Sequence, residues 1–166
     1  MIVWVDISNK SFEVSAARVE NFARHLLEAA GEIEAELSLS LVDDETIRRL
    51  NREYRGIDAP TDVLSFSLRE GEPVGQDHAL GDIVISVDTA RRQAREYGHT
   101  VAEEIEELIF HGYLHLAGHD HEQDDPSAWR QAEAELIGEL KKRGLPSAPK
   151  GLIHTPIESK REKKGG

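Results

Sequence analysis

Residues 111–121 read HGYLHLAGHDH and contain four of the eight histidines of the chain. His111 and His115 are four positions apart in a run with helical spacing of apolar residues, so their imidazoles are predicted to project from one face of a helix. Gly118 has no Cβ and can take the left-handed conformation that ends a helix. The turn would fold the chain back and bring His121 towards the other two rings. This stretch therefore predicts a long helix that is followed by a tight turn.

The spacing HxxxHxxGxxH is typical of a metal site. An isolated pair of histidines four positions apart is more often an ordinary surface feature, but the added glycine and third histidine favour metal binding. Three neutral ligands, His111, His115 and His121, leave a fourth position open for water, as in catalytic rather than structural zinc sites. We expect one zinc ion per chain, although another divalent metal suits the same ligands. His119 is expected to point elsewhere, towards solvent or substrate.

The same string has the helix, glycine turn and third histidine of the metzincin pattern HExxHxxGxxH. The glutamate of that pattern is the general base of a peptidase. Gly112 stands at its position here, so a peptidase of this kind would lack its key group. A metzincin-like metalloprotease therefore stays as an alternative function, whereas the prediction of a metzincin-like helix-turn metal site is unaffected.

Hydrophobic periodicity outside this stretch predicts four strands and five helices. The pairing of strands and the late grouping of helices favour an α+β fold, a small mixed sheet with the helices packed on it, over a doubly wound sheet. Residues 68–80, rich in glycine, proline and charge, are expected to form a mobile loop. The strands are predicted at residues 2–5, 37–42, 63–66 and 81–86. Four helices are predicted after caps at Ser15, Asp43 or Asp44, Thr100 and Asp125, and one helix is predicted to begin at Asp88 or Thr89.

Composition limits the class of protein. The chain has 166 residues, 39% of them hydrophobic, and no cysteine, so one globular domain is expected and a disulfide-stapled module or a cysteine zinc ribbon is excluded. No apolar run approaches the roughly 20 residues that cross a bilayer, and the first residues lack the features of a signal peptide. We therefore expect a soluble, cytoplasmic protein with no membrane partner.

Charge divides the chain into two parts. Residues 1–140 hold 12 basic and 30 acidic side chains, a net charge of −18, whereas residues 141–166 hold 8 basic and 2 acidic ones, a net charge of +6. We expect a catalytic domain over residues 1–143 and a flexible basic tail over residues 144–166. The overall charge of −12 argues against a non-specific nucleic-acid coat, and no DNA partner is expected.

The histidine stretch also resembles the signature HGxLHLxGxDH of the YbeY family of bacterial endoribonucleases and rRNA maturation factors, and meets every specified position of it. Residues 51–66, with Pro60-Thr61-Asp62-Val63-Leu64-Ser65-Phe66, and residues 81–86 are similar to two further blocks of that family. Together the blocks cover the chain from about residue 40 to residue 140. The first 40 residues match only in pattern, and the tail beyond Gly144 resembles no core feature of the family.

The resemblance implies an α+β fold with a metal held by His111, His115 and His121. It also implies cleavage of single-stranded RNA, with roles in 16S rRNA 3′-end maturation and in late-stage 70S ribosome quality control. The implied partners are rRNA, the small ribosomal subunit and its assembly factors. A non-catalytic ribosome-assembly factor with a structural zinc ion is a second alternative.

Four charged residues are further candidates. Arg55 follows a predicted helix, where its ordinary role is to bind the last carbonyls; the resemblance implies instead that it faces the metal cleft and holds a phosphate. Asp62 could orient Arg55, although an aspartate that opens a strand is more often a turn cap. Asp120 is expected to accept a ring proton of a histidine ligand, ahead of a role as general base. Glu107, one turn before His111, is expected to be a solvated helical charge.

Overall fold

The computed structural model describes residues 1–69, 78–119 and 125–144. Four strands and five helices lie in these ranges, so the predicted α+β class is confirmed. None of these helices is both long and apolar enough to cross a membrane. Most of the predicted loop, and the predicted tail from residue 145 onwards, lie outside the described residues. The elements are β1 (Ile2–Ile7), α1 (Ala16–Ala29), β2 (Glu36–Val42), α2 (Asp44–Arg55), β3 (Val63–Ser67), β4 (Ala79–Ser86), α3 (Val87–Tyr97), α4 (Val101–Leu116) and α5 (Pro126–Lys142).

The strands form one mixed sheet in the order β1-β2-β4-β3. Strand β1 is parallel to β2 and β2 is parallel to β4, whereas β3 is antiparallel to β4. On β2, the side chains of Leu37, Leu39 and Leu41 are buried and the two serines between them are only half-buried. This is the alternation that the sequence predicted for a strand with one face against the core.

The two faces of the sheet carry different layers. Helices α1 and α4 pack on one face, with α3 and α5 beside them, and this main core contains the fully buried Leu26, Ile83 and Phe110. Helix α2 covers part of the other face, where Ile47 packs with Leu64 and Val84. The strands near β3 are therefore covered on both sides.

Helix α4 is buried around almost its whole circumference. It contacts α1, α3, β3 and β4, and all its residues from Glu104 to Leu114 are buried. The expectation that Glu107 is a solvated charge is therefore wrong, since its exposed fraction is 4%. Two neighbouring carboxylates are paired: Glu104 Oε1 lies 2.5 Å from His99 Nε2, and Glu106 Oε1 lies 3.0 Å from Arg18 Nη2.

Most predicted helix caps are confirmed. The side chains of Ser15, Asp43, Thr100 and Asp125 each accept a hydrogen bond from a backbone N–H of the first turn. Helix α3 differs, because it begins directly at the end of β4 and Ser86 is its cap. The Ser86 hydroxyl accepts from the Thr89 N–H at 3.2 Å, and the helix begins at Val87, one residue before the predicted Asp88.

Asp44 ties the start of α2 to α3. Its Oδ1 accepts hydrogen bonds from Ser86 Oγ at 2.6 Å and Thr89 Oγ1 at 2.7 Å, and its Oδ2 accepts from Arg92 Nη2 at 2.9 Å. Partial burial raises the pKa of the Asp44 carboxyl, but these hydrogen bonds outweigh burial and hold the pKa below its usual range. This network fixes the first turn of α2. The candidate Arg55 is the last residue of the same helix.

Replacement of Asp44 by Asn should lower the free energy of unfolding by on the order of 1–3 kcal/mol near neutral pH, because hydrogen bonds to a charged group are lost. Since the folded pKa is lowered, this stabilisation is present above the unfolded pKa of about 3.9 and disappears as the pH falls through the folded value. Urea unfolding at about pH 7 and at about pH 3 should show the gap to wild type shrinking in acid.

Glu45→Gln, at an exposed position of the same turn, is the control and should change stability by less than about 0.5 kcal/mol. A gap between Asp44→Asn and wild type that is the same at both pH values would contradict the assigned role of the carboxylate.

Candidate active site

His111 and His115 lie on one side of α4, where both rings face Trp129 of α5. The ring centroids of Trp129 and His111 are 6.3 Å apart, and those of Trp129 and His115 are 5.3 Å apart. His111 is buried and His115 is half-buried. His111 Nε2 also lies 3.5 Å from Glu133 Oε2. Two imidazoles one turn apart thus project together into a space bounded by α5.

The chain turns sharply straight after this pair of histidines. Gly118 has a φ of +96°, in the region that favours glycine. Its N–H donates to the His115 carbonyl at 3.0 Å and the His119 N–H donates to the Leu114 carbonyl at 2.9 Å, which is the Schellman motif. The turn predicted from the sequence is therefore confirmed.

The metal site itself stays a prediction. His121 and Asp120 lie outside the described residues. Within the described ranges no group of three or more His, Asp or Glu is arranged to hold a metal ion. The residues that are described nevertheless fit a histidine-bound metal, since two neutral nitrogen donors share a face and the turn after them reverses the chain, as a third ligand requires.

Two residues of α5 belong to this site and were not singled out from the sequence. Glu133 is buried, with an exposed fraction of 4%, and follows Trp129 by one helical turn. A buried carboxylate beside an imidazole is a common way to orient a metal-binding histidine. Glu133 could have been identified from its helical spacing with Trp129 and Leu136, which puts a carboxylate on the apolar side of α5.

Gly112 faces the sheet at very short range. A Cβ on this residue would lie 3.0 Å from Ile83 Cγ2, 3.1 Å from Ile83 Cδ1 and 3.2 Å from Ser65 Oγ. The glutamate of the metzincin pattern would occupy this position, and the sheet leaves no space for its side chain. The structure therefore disfavours the metalloprotease alternative independently of the sequence.

Ser65 links the candidate arginine to the histidine helix. Its hydroxyl donates to the Gly112 carbonyl at 3.2 Å, and its own carbonyl accepts from Arg55 Nη2 at 3.3 Å. Arg55 is exposed at the end of α2. The helix is ended by Gly56, whose N–H donates to the Arg52 carbonyl at 3.1 Å, so the guanidinium is used on β3 rather than on the helix end.

Asp62 has the role of a turn cap. Its Oδ1 accepts from the Val63 N–H at 2.9 Å and its Oδ2 accepts from Gln93 Nε2 at 3.3 Å, which joins the start of β3 to α3. Arg55 donates to the Ser65 carbonyl. A role of Asp62 in orienting the arginine stays a prediction.

Comparison with known proteins shows which family the chain belongs to. The family model described as Endoribonuclease YbeY matches residues 5–141. A protein named Endoribonuclease YbeY from Pelotomaculum thermopropionicum is 50% identical over 123 residues, which cover 71% of this chain and 81% of the relative. One of the same name from Aquifex aeolicus is 45% identical over 135 residues, covering 80% of this chain and 89% of the relative. The chain belongs to the YbeY endoribonuclease family, as its motifs suggested.

A solved structure shares the fold. The solution structure of a Thermotoga maritima protein has a TM-score of 0.55 and 29% sequence identity to this chain. The match covers 88% of this chain and 95% of the other. The α+β architecture described above is thus shared along almost the whole length of that relative.

Replacement of Gly112 by Ala should destabilise the protein by about 1–3 kcal/mol, because the new Cβ overpacks against Ile83 and Ser65. Gly138 of α5 is the matched control, since a Cβ there meets nothing within 4 Å. Gly138→Ala should stabilise by about 0.5–1 kcal/mol through helix propensity alone. Thermal or urea unfolding of both variants measures the difference, and an equal gain at the two positions would show that α4 and the sheet are not in close contact at Gly112.

Proposed function

We propose that this protein is a metal-dependent endoribonuclease that cleaves single-stranded RNA. Membership of the YbeY family supports the reaction class, and the paired imidazoles on α4 support a metal. The observation that carries the proposal is the connection from Arg55 through Ser65 to Gly112, because it holds a phosphate-binding group next to the histidine helix.

His111, His115 and His121 would hold the metal, with zinc as the expected ion and another divalent metal as a possible substitute. Once bound, the metal supplies Lewis acidity and lowers the pKa of water at the site. Glu133 keeps the His111 ring oriented, and Trp129 covers one side of both imidazoles. These are the contributions of the protein to a preorganised site.

Arg55 is proposed to bind the phosphate at the cleaved bond. A guanidinium has five N–H donors in a planar fork, and its hydrogen bond to Ser65 uses one of them. The remaining donors can hold a phosphate in two parallel hydrogen bonds and stabilise the negative charge that builds up on it. Asp120 is proposed as an acceptor for a histidine ring proton rather than as the general base.

We place this activity in the cytoplasm, in 16S rRNA 3′-end maturation and in late-stage 70S ribosome quality control. The partners would be rRNA, the small ribosomal subunit and its assembly factors. We propose this rRNA substrate and these roles because the family resemblance implies them. A non-catalytic assembly factor with a structural zinc ion would bind the same subunits but would not cleave RNA, and this difference separates the two proposals.

His115→Ala should lose about one equivalent of bound metal per chain, because one of the ligands is removed. Elemental analysis of the purified wild type and variant measures this loss. Occupancy in the wild type should fall as the pH drops through the histidine range near about 6.5, since only neutral imidazoles bind. His78→Ala, at a half-exposed histidine before β4, is the control. Equal metal content in wild type and His115→Ala would exclude this site.

Arg55→Lys should keep the fold but reduce cleavage of an unstructured RNA by on the order of 100-fold, because an ammonium cannot reproduce the planar fork. Stability should stay within about 0.5 kcal/mol of wild type, as expected at an exposed position. Arg48→Lys, on the same helix but paired with Asp58 and Glu45, is the control and should remain active.

The assay compares single-stranded RNA, duplex RNA and casein under the same metal conditions. Full activity of Arg55→Lys would remove Arg55 from the chemistry. Digestion of casein with RNA left intact would favour the protease. Binding of ribosomal subunits without cleavage of any RNA would favour the non-catalytic factor.

A further inference from the structure

An exposed aromatic ring lies beside the candidate arginine, on the face of the sheet opposite to α4. We define the α2–β3 surface by Arg52, Tyr54, Arg55 and Phe66. Tyr54 is 62% exposed, and its ring centroid lies 5.3 Å from that of Phe66 at an interplanar angle of 66°. Phe66 is itself half-buried against the smaller core cluster under α2. The Tyr54 ring is thus held in position from one side while most of it is open to solvent.

Two arginines of this surface carry uncompensated charge. Arg48, Arg52 and Arg55 are spaced by four and three residues and therefore share one side of α2. Arg48 is neutralised by Asp58 and Glu45. In the described part of the chain no carboxylate forms an ion pair with Arg52 or Arg55. Both are exposed, although residues 1–140 carry a net charge of −18.

We infer that the α2–β3 surface binds the RNA chain next to the cleavage site, with an unpaired base stacked on Tyr54 and a neighbouring phosphate bound by Arg52. The inference rests on the proposed function and names where its substrate lies. Stacking on an aromatic ring tolerates any base, because every base has a π-face. A base inside a duplex is paired and already stacked, so it cannot reach Tyr54. The surface therefore gives a physical reason for selectivity towards single strands.

Charge complementarity favours RNA as the occupant over a protein. Arg52 and Arg55 have Cβ atoms about 5–6 Å apart and can contact successive phosphates. Glu53 lies between them in sequence but projects from another side of the helix, since each residue is rotated by about 100°. Single-stranded RNA has regularly spaced phosphates and unpaired bases, and so it matches a surface with two arginines and an exposed aromatic ring.

Trp4 is a comparable aromatic residue without these neighbours. It is 59% exposed on β1, at the other edge of the sheet. The register Trp4↔Ser38↔Asp82↔Phe66 puts it on the same face as Phe66 but three strands away, at about 14 Å. Asp6 lies two residues from Trp4 on the same face of β1 and is exposed, and its carboxylate repels phosphate. Trp4 is therefore the matched control for an exposed ring that should not bind RNA.

The first test measures stacking by fluorescence anisotropy with an unstructured RNA oligonucleotide. The full chain carries His115→Ala, so that the RNA stays intact under the proposed mechanism. Tyr54→Ala should weaken binding by about 5- to 20-fold, whereas Tyr54→Phe and Trp4→Ala should bind like the parent. With an oligonucleotide of the same length that has abasic sugars, Tyr54→Ala and the parent should bind equally weakly.

Tyr54→Leu tests whether the affinity falls because the aromatic ring is lost or because the local structure is disturbed. Leucine keeps an apolar contact with Phe66 but has no π-face, so its RNA affinity should fall as far as that of Tyr54→Ala. Thermal unfolding of both variants should match the parent, since the side chain is mainly exposed. A leucine variant with parental affinity would overturn the stacking role.

The second test measures the phosphate contact through salt. Arg52→Gln should make the slope of log affinity against log salt shallower by about 0.7, the value for one phosphate of a single strand. Arg24→Gln is the control: it removes the same charge from α1, where Arg24 is paired with Glu20 at 3.0 Å. Its slope should equal that of the parent.

The results separate this inference from the proposed function. If Tyr54→Ala binds RNA like the parent, or loses as much affinity for the abasic oligonucleotide, the surface does not hold a base and the inference is overturned. The cleavage assay with wild-type protein is independent of that result. An inactive wild type whose RNA binding depends on Tyr54 would overturn the proposed catalysis and leave the binding surface standing.

Discussion

Helix α4 lies so close to the sheet at Gly112 that a Cβ there would crowd Ile83 and Ser65, and the arrangement of the candidate site follows from this contact. The Gly112 carbonyl is within reach of the Ser65 hydroxyl only because the helix sits directly on Ile83. Ser65 in turn holds Arg55. One packing constraint therefore links the guanidinium at the end of α2 to the helix that carries the two imidazoles.

Helix α4 lies at the centre of the core and also carries two of the candidate metal ligands, His111 and His115. Charged groups in such a place are costly unless they are paired. Each partner comes from a different element: Arg18 of α1 for Glu106, His99 from the turn after α3 for Glu104, and Glu133 of α5 near His111. The surrounding helices thus stabilise α4 by packing and also orient its polar groups.

Features that depend on neighbours in sequence could be predicted, and features that depend on distant segments could not. The caps at Ser15 and Thr100 and the turn at Gly118 follow from local backbone chemistry, and the histidine spacing was enough to indicate the family. The burial of Glu107 depends on how α4 is enclosed by α1, α3 and the sheet. The proximity of Glu133 to His111 depends on the path of α5. Hydrophobic periodicity carries no information on which faces of two separate helices meet.

The strand order has a consequence for how the protein is made. Within the described residues, strand β3 lies at the edge of the sheet and pairs only with β4, which follows it in the chain and is inserted beside the much earlier β2. As a chain leaves the ribosome, α2 and β3 emerge first and have no partner until β4 is complete. The histidine helix comes later still, and pairing of such distant segments is slow. A nascent chain surrounded by ribosomal RNA therefore has its arginine and its histidines unassembled, and the two halves of the candidate site meet only after α4 has been synthesised.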